Sequence, residues 1–150
     1  MDLQEVADRL EIQDLMIDYC TALDAHDFDA MRELFVEDAV VDYTAMGGPK
    51  GHRDAIIDYL ARIIPSFPRC QHFITNARIR VTGDSATGRT MVLNPMGMPM
   101  GEGQHQMAFY GLWYNDTFVR THTGWKIQTR CEEYGFDFNV PASFQAFSEL

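Results

Sequence analysis

A histidine and an aspartate are the residues of this sequence whose types best suit acid–base chemistry. His72 stands in the segment Gln71-His72-Phe73-Ile74, at the start of an apolar run. A neutral imidazole has a pKa near neutrality and can remove a proton from a carbon atom next to a carbonyl or a leaving group. Asp24 can accept a hydrogen bond from the other ring nitrogen, which would fix the tautomer and stabilise the imidazolium. Together the two residues predict a site of proton abstraction that needs no cofactor.

Two tyrosines are candidates for a further role in this site. The hydroxyl of Tyr43 or Tyr19 can donate a hydrogen bond to an oxygen on which charge develops, or protonate a departing hydroxyl group. Each of the four residues also has a structural interpretation, which local sequence leaves open. Asp24 could cap the next helix together with Asp27, His72 could pack at the start of a strand, and buried tyrosines are often core residues.

The other histidines and the cysteines do not predict a metal centre. His105 and His122 have no acidic or cysteine neighbour at ligand spacing, although His105 could serve the pocket as a second proton donor. The three cysteines have no paired spacing, which favours reduced thiols in a cytoplasm. No serine stands in a nucleophile elbow and no glycine-rich loop resembles a phosphate cradle, so hydrolase and nucleotide-binding functions are not expected.

Composition and charge narrow the class of partner. The 150 residues are 46% hydrophobic and 23% charged, which predicts one globular domain over residues 1–150. A net charge of -10 with scattered basic residues argues against nucleic acid. The N-terminal residues lack the apolar run of a signal peptide or a membrane span. We therefore expect a cytoplasmic protein that binds a neutral or hydrophobic small molecule.

Helical periodicity dominates the first part of the chain. The first predicted helix is long and amphipathic, and Asp24 lies at its end, close to the buried face. Asp27 is a suitable N-cap for a short second helix, and Pro65 stops the third. The predicted elements are helices over residues 3–25, 28–36 and 53–64, and a strand over residues 39–44.

Strand patterns follow in the second part. Short turns join neighbouring strands, which indicates antiparallel pairing. Helices followed by a meander of long strands predict an α+β domain whose curved sheet folds over the helices and can enclose a pocket. The predicted strands cover residues 71–82, 86–93, 107–120 and 124–136.

Two segments have less regular patterns. Residues 94–106 contain prolines, glycines and three methionines, which favours either a flexible rim over a hydrophobic ligand or a loop that packs on a neighbouring subunit. The tail, residues 136–150, keeps four aromatic side chains and is expected to dock on the body of the protein. These side chains are Phe136, Phe138, Phe144 and Phe147.

A recognisable pattern runs along the chain. It consists of Tyr19, Leu23-Asp24, Asp27-Phe28, Leu34-Phe35, Ala39 to Tyr43, Gln71 to Ile74, Trp113-Tyr114 and Gly124-Trp125-Lys126. This pattern resembles the SnoaL-like branch of the nuclear-transport-factor-2-like superfamily over nearly the whole chain. It implies a cone-shaped barrel, in which three N-terminal helices pack in a strongly curved, mainly antiparallel sheet. It also implies assembly into a homodimer or homotrimer through the outer face of the sheet.

Within that branch the chain is most similar to scytalone dehydratases, and more distantly to bile acid dehydratases and hexachlorocyclohexane dehydrochlorinases. The resemblance implies that Asp24 and His72 form a catalytic dyad. It further implies that Tyr43 helps to hold a water on a substrate carbonyl, and that Tyr19 is an active-site tyrosine.

The resemblance also suggests the walls of the pocket and one important departure. A second histidine of the scytalone dehydratases is replaced here by Met96, and a small polar pair is replaced by Ala108 and Tyr110, so a different and more apolar substrate is implied. The substrate-binding residues expected on this basis are Asn94, Met96, Tyr110, Phe138, Phe144 and His105.

The function predicted from the sequence is a cofactor-independent, dehydratase-like lyase for a small, mainly apolar cyclic or aromatic substrate. An isomerase, a dehydrohalogenase or a carbon–carbon lyase could use the same dyad, because this fold serves many reactions. An alternative of another class is a non-catalytic ligand-binding protein, or a structural partner like the β-subunit of ring-hydroxylating dioxygenases.

Overall fold

The computed structural model describes the backbone of residues 2–147 and the side chains of residues 2–144, which form three α-helices and seven strands. The helices are α1 (Leu3–Asp24), α2 (Phe28–Glu33) and α3 (Arg53–Ile63). The strands are β1 (Phe35–Asp42), β2 (Lys50–His52), β3 (Arg69–Cys70), β4 (Phe73–Thr82), β5 (Ser85–Gly101), β6 (Gln104–Thr121) and β7 (Gly124–Phe138). No helix among the described residues is long and apolar enough to span a membrane.

The sheet is mixed and curls around the helices. Its strand order is β2-β1-β7-β6-β5-β3, with β4 also paired to β5. The pair β1–β7 is parallel and the other pairs are antiparallel. The expected three helices on a curved, mainly antiparallel sheet are confirmed, but the described strands do not close into a barrel, because β2 and the β3–β4 edge remain unpaired with each other.

Helix α1 forms as its periodicity predicts. The Asp2 side chain caps it by accepting a hydrogen bond from the Glu5 amide at 2.8 Å. Its inner stripe, which includes Met16, Tyr19 and Leu23, is almost fully buried. The helix ends at Asp24, so this carboxylate lies at the rim of the core.

Helix α2 is shorter than the sequence predicts, because β1 begins earlier. The prediction extended the helix to residue 36, whereas it ends at Glu33. Phe35 pairs with Ile127 of β7, and the Ile127 amide donates to the Leu34 carbonyl at 2.9 Å. This pairing buries the Phe35 ring, and burial of an aromatic ring outweighs the weak helical preference of a short segment.

The interpretation of residues 94–106 as a loop is wrong. Strand β5 continues to Gly101, and β6 begins at Gln104 after a tight turn with positive φ at residues 101–103. The antiparallel ladder passes both prolines, with Pro95 opposite Phe109 and Pro99 opposite His105. Pairing with a long neighbouring strand thus overrides the local effect of proline and glycine.

Candidate active site

The site is organised by the contact between Asp24 at the end of α1 and His72, which precedes β4. The ring Nδ1 of His72 lies 2.7 Å from Asp24 Oδ1, and the His72 backbone amide donates to Asp24 Oδ2 at 2.8 Å. A carboxylate only accepts hydrogen bonds, so Nδ1 carries a proton and Nε2 is the nitrogen left for other chemistry. The His72 side chain is 8% exposed and that of Asp24 is 25% exposed.

The protonation of His72 is controlled by this pair. Burial disfavours the imidazolium, but the hydrogen bonds with Asp24 and Cys70 and the charges of these groups outweigh it and raise the pKa of His72 to about 9. An imidazolium at position 72 is therefore strongly stabilised. The neutral form, which a base needs, becomes more populated as the pH rises toward 9.

Asn94 on β5 holds the segment that carries His72. Its side-chain amide donates to the Gln71 carbonyl at 2.7 Å, and the Gln71 amide donates to the Pro95 carbonyl at 3.1 Å. Residues 71 and 72 fall between β3 and β4, both of which pair with β5, so the chain leaves the ladder at the histidine. Asn94 is buried against this interruption and also lines the cavity.

The two predicted tyrosines contact each other. Tyr19 Oη and Tyr43 Oη are 2.5 Å apart and both side chains are buried. Burial raises the pKa of Tyr19 to about 12 and the pKa of Tyr43 well above its usual value, so both groups remain neutral hydroxyls. One hydroxyl donates to the other, which leaves one O–H hydrogen of the pair for a ligand.

A buried arginine lies behind the tyrosine pair, and sequence reasoning missed it. Arg130 donates two hydrogen bonds to Asp116, at 2.9 and 2.8 Å, and both side chains are fully buried. Its guanidinium lies 4.0 Å from the ring centroid of Tyr19 and 3.9 Å from that of Tyr114. The guanidinium, stacked on the ring face, therefore holds the Tyr19 ring in place.

His72, Asn94 and the two tyrosines line a cavity of about 300 Å³, which is at the small end of the range for small-molecule sites. Its lining is mainly apolar, with a few polar side chains. The lining includes His72, Tyr19, Tyr43, Asn94 and Glu132 as polar residues, and Leu23, Met96, Met98, Tyr110, Leu112 and Phe144 among the others. Four of the six residues expected to bind substrate thus lie in the cavity wall.

The family of the chain is shown by comparison with known proteins. Residues 4–131 match the model of the SnoaL-like domain. The chain belongs to the SnoaL-like family. This SnoaL-like chain has the fold of the nuclear-transport-factor-2-like superfamily, as its resemblance predicted.

Relatives of this SnoaL-like protein include enzymes and proteins without known function. It is 42% identical over 132 residues to an uncharacterized protein of Mycobacterium tuberculosis, with 88% of each chain covered. It is 28% identical over 137 residues to the gamma-hexachlorocyclohexane dehydrochlorinase of Sphingobium indicum, which covers 89% of this chain and 85% of the relative. A solved structure from Novosphingobium aromaticivorans, provisionally assigned as a scytalone dehydratase, shares the fold with a TM-score of 0.80 at 24% identity, covering 92% and 91% of the two chains.

Two expected pocket residues lie outside the cavity. Phe138 is 65% exposed on the outer face of the sheet, opposite Phe109, so its prediction as a pocket wall is wrong. His105 is exposed on β6 and does not line the cavity, so it cannot be the second proton donor. Its partner in the ladder is Pro99, and the neighbouring odd-numbered positions of β6 also face outward.

A one-residue bulge explains the position of Phe138. Leu112 pairs with Tyr134 but Gly111 pairs with Phe136, so Gly135 is an extra residue in β7. An extra residue reverses the face of every side chain that follows it. Without the bulge, Phe138 would pair with Ala108 and point inward.

The docking of the tail is therefore only partly as predicted. Phe136 is 53% exposed, like Phe138, and covers Gly111 on the outer face. Phe144 does dock, because it packs against the small cluster of Met98, Ala108 and Val140. The side chain of Phe147 lies outside the described residues.

Asp24, Cys70 and His72 are the described residues whose possible metal-ligand atoms come together, within 4.8 Å of one another. Carboxylate, thiolate and imidazole are donors that suit zinc. In this structure His72 Nδ1 donates to Asp24, and the Asn94 amide lies 3.7 Å from Cys70 Sγ.

Proposed function

We propose that this SnoaL-like protein is a cofactor-independent lyase of the dehydratase type, in which His72 removes a proton from a carbon atom of a small, mainly apolar cyclic or aromatic substrate. The observation that carries the proposal is the hydrogen-bonded pair of Asp24 and His72 at the wall of an apolar cavity of about 300 Å³. A base in such a position reaches a neutral ligand without competition from bulk water.

The chemistry follows from the roles of the dyad atoms. Nε2 of neutral His72 accepts the proton from carbon, and the positive charge that forms on the ring is balanced by the Asp24 carboxylate 2.7 Å from Nδ1. Negative charge develops on the carbonyl oxygen or the leaving group of the substrate. The free O–H of the Tyr19–Tyr43 pair is a neutral donor suited to that oxygen.

The cavity lining supports a neutral substrate. Side chains such as Leu23, Met96 and Leu112 give apolar contacts, and Tyr110 and Phe144 add aromatic walls. The dehydrochlorinase relative, by its name, acts on a chlorinated cyclohexane, which supports an elimination reaction on a cyclic molecule. That relative also makes a dehydrohalogenase the second candidate for this chain.

The proposal can be tested with simple cyclic probes. We expect the wild-type protein to convert 3-hydroxycyclohexanone to the conjugated enone, followed by ultraviolet absorbance, and to exchange the acidic C–H for deuterium in D₂O. His72→Gln should abolish both reactions, whereas the exposed His105→Gln should leave them unchanged. Equal rates for His72→Gln and the wild type would rule out the proposed role of His72.

A further inference from the structure

Glu132 is a carboxyl group of the cavity that the dyad chemistry does not use. It lies on β7 opposite Tyr114 of β6, on the same face of the sheet as Arg130. Its side chain is partly exposed and lines the same cavity as His72. Strand alternation from Trp125 and Ile127 would have placed it on the outer face.

A bulge at Gln128 brings Glu132 to the inner face. Phe118 pairs with Ile127 and Thr117 pairs with Thr129, so Gln128 has no partner in β6. The extra residue reverses the faces of the later positions, and Arg130 and Glu132 both turn inward.

The Glu132 carboxyl has no protein partner in the described part of the chain: no hydrogen bond or ion pair reaches its oxygens there. Arg130 is the obvious cation beside it, but Arg130 already holds Asp116 through two hydrogen bonds at 2.9 and 2.8 Å. The remaining Arg130 nitrogen, Nη1, is buried without a hydrogen-bond partner among these residues. Glu132 therefore does not serve to satisfy Arg130, and its carboxyl is available to a ligand in the cavity.

The surroundings of this carboxyl favour its protonated form. Burial raises the pKa of Glu132 to about 8, against the opposing charges of Arg130 and His72. The charged groups that act on it are Arg130 on β7, Asp116 on β6, Asp42 on β1 and His72 before β4. The tyrosines that interact with it, Tyr19, Tyr43, Tyr59 and Tyr114, carry neutral hydroxyls.

We propose that Glu132 is the general acid of this cavity and protonates an oxygen leaving group while His72 removes the proton from carbon. The inference rests on the proposed lyase function and specifies its substrate: a neutral molecule with a hydroxyl or ether oxygen β to an acidic C–H. A neutral carboxylic acid in an apolar site is a strong hydrogen-bond donor and a suitable acid for such a step.

The step is balanced in protons and electrons. His72 Nε2 takes H⁺ from carbon, and the C–H electron pair becomes the π bond. The C–O bond breaks with its electron pair on oxygen, which receives H⁺ from Glu132 and leaves as water or an alcohol. The imidazolium of His72 then returns a proton to the Glu132 carboxylate through water in the cavity.

The presence of an acid distinguishes between leaving groups. Hydroxide is a poor leaving group and needs a proton, whereas a halide departs as a stable anion and needs none. Glu132 therefore favours dehydration over dehydrohalogenation for this chain, in contrast to the reaction named for its chlorinated-substrate relative.

The first test is spectroscopic and needs no substrate. Infrared difference spectra of the wild type and Glu132→Gln at neutral pH should show the C=O stretching band of a protonated carboxyl in the wild type. The matched control is Glu133→Gln, because Glu133 faces outward and pairs with Arg89 at 2.8 Å. An ionised Glu132 at neutral pH would overturn the inference.

The second test varies the leaving group in 3-aryloxycyclohexanones, from the acidic 4-nitrophenol to the weakly acidic 4-methoxyphenol. For the substrate that releases 4-methoxyphenol, Glu132→Gln should lower kcat by about 10²–10⁴-fold, the usual contribution of a general acid. For the substrate that releases 4-nitrophenol, kcat should stay nearly unchanged, and so should the KM values of both substrates. An equal effect on all leaving groups, or no effect, would overturn the role of Glu132. His72→Gln should abolish elimination across the series; if it does not, or if the wild type releases no phenol, the lyase function itself fails and the role of Glu132 fails with it.

Discussion

Replacing Asp24 by asparagine should change the protonation of His72 more than any other property of the protein. The asparagine keeps the shape of the side chain but removes the negative charge 2.7 Å from Nδ1. The pKa of His72, raised from 6.5 to about 9 in the wild type, loses its main support, while burial continues to disfavour the imidazolium. We therefore expect the His72 pKa in Asp24→Asn to fall below 6.5.

The size of this effect follows from the two pKa values. One pKa unit corresponds to about 1.4 kcal/mol, so the rise from 6.5 to about 9 is worth about 3 kcal/mol. Because the folded protein binds this proton more tightly than the unfolded chain, the contribution to the unfolding free energy is complete below pH 6.5. It is lost as the pH rises from 6.5 through about 9.

Two measurements check this prediction. NMR titration of the histidine rings, with His72→Gln used to assign the signal, gives the pKa directly. In urea unfolding, the unfolding free energy of the wild type should decrease by about 3 kcal/mol between pH 6.5 and 9 because of His72. This decrease should be absent in Asp24→Asn. The control is Asp27→Asn, since Asp27 only caps α2 through the Ala30 amide at 3.0 Å. A His72 pKa that stays near 9 in Asp24→Asn would refute the assigned role of the carboxylate.

Three further predictions follow from the cavity. For elimination, a plot of kcat/KM against pH should be bell-shaped with a maximum between about pH 8 and 9, because His72 must lose a proton and Glu132 must keep one. In Glu132→Gln, kcat/KM should still rise with pH but should no longer fall at high pH. Tyr43→Phe should lower the unfolding free energy in urea by about 1–3 kcal/mol, because it leaves the buried Tyr19 hydroxyl without its partner, and the Tyr19→Phe/Tyr43→Phe double variant should lose less than the sum of the two. Light scattering should show a homodimer or homotrimer that Phe138→Lys converts to monomers, and a monomeric wild type would contradict this. The exposed apolar side chains on the outer face that support it are Phe73, Met91, Met107, Phe136 and Phe138.

Much of the framework follows from the sequence because it depends on local patterns. Periodic apolar residues define α1 and α3, and β-branched and aromatic runs define most of the strand length of the curved sheet, with β2 and the Pro/Gly-rich end of β5 as exceptions. The pair of Asp24 and His72 was also predicted from residue types and family resemblance, and the structure places their side chains in hydrogen-bond contact.

The inner and outer faces of β7 depend on tertiary structure. Each bulge adds one residue, at Gln128 and at Gly135, and reverses which side chains face the cavity. The first turns Arg130 and Glu132 inward, and the second turns Phe138 outward. Strand alternation in the sequence carries no signal for either, because a bulge is defined by the register with β6.

The sequence by itself therefore determined the family and the order of the three helices, and it predicted the pairing of Asp24 with His72. The tertiary structure decided the place and the pKa of Glu132, because the bulge in β7 turns this carboxyl toward the cavity and burial raises its pKa. Burial is a property of the assembled sheet and helices: the same glutamate in an exposed strand would be an ordinary solvated anion.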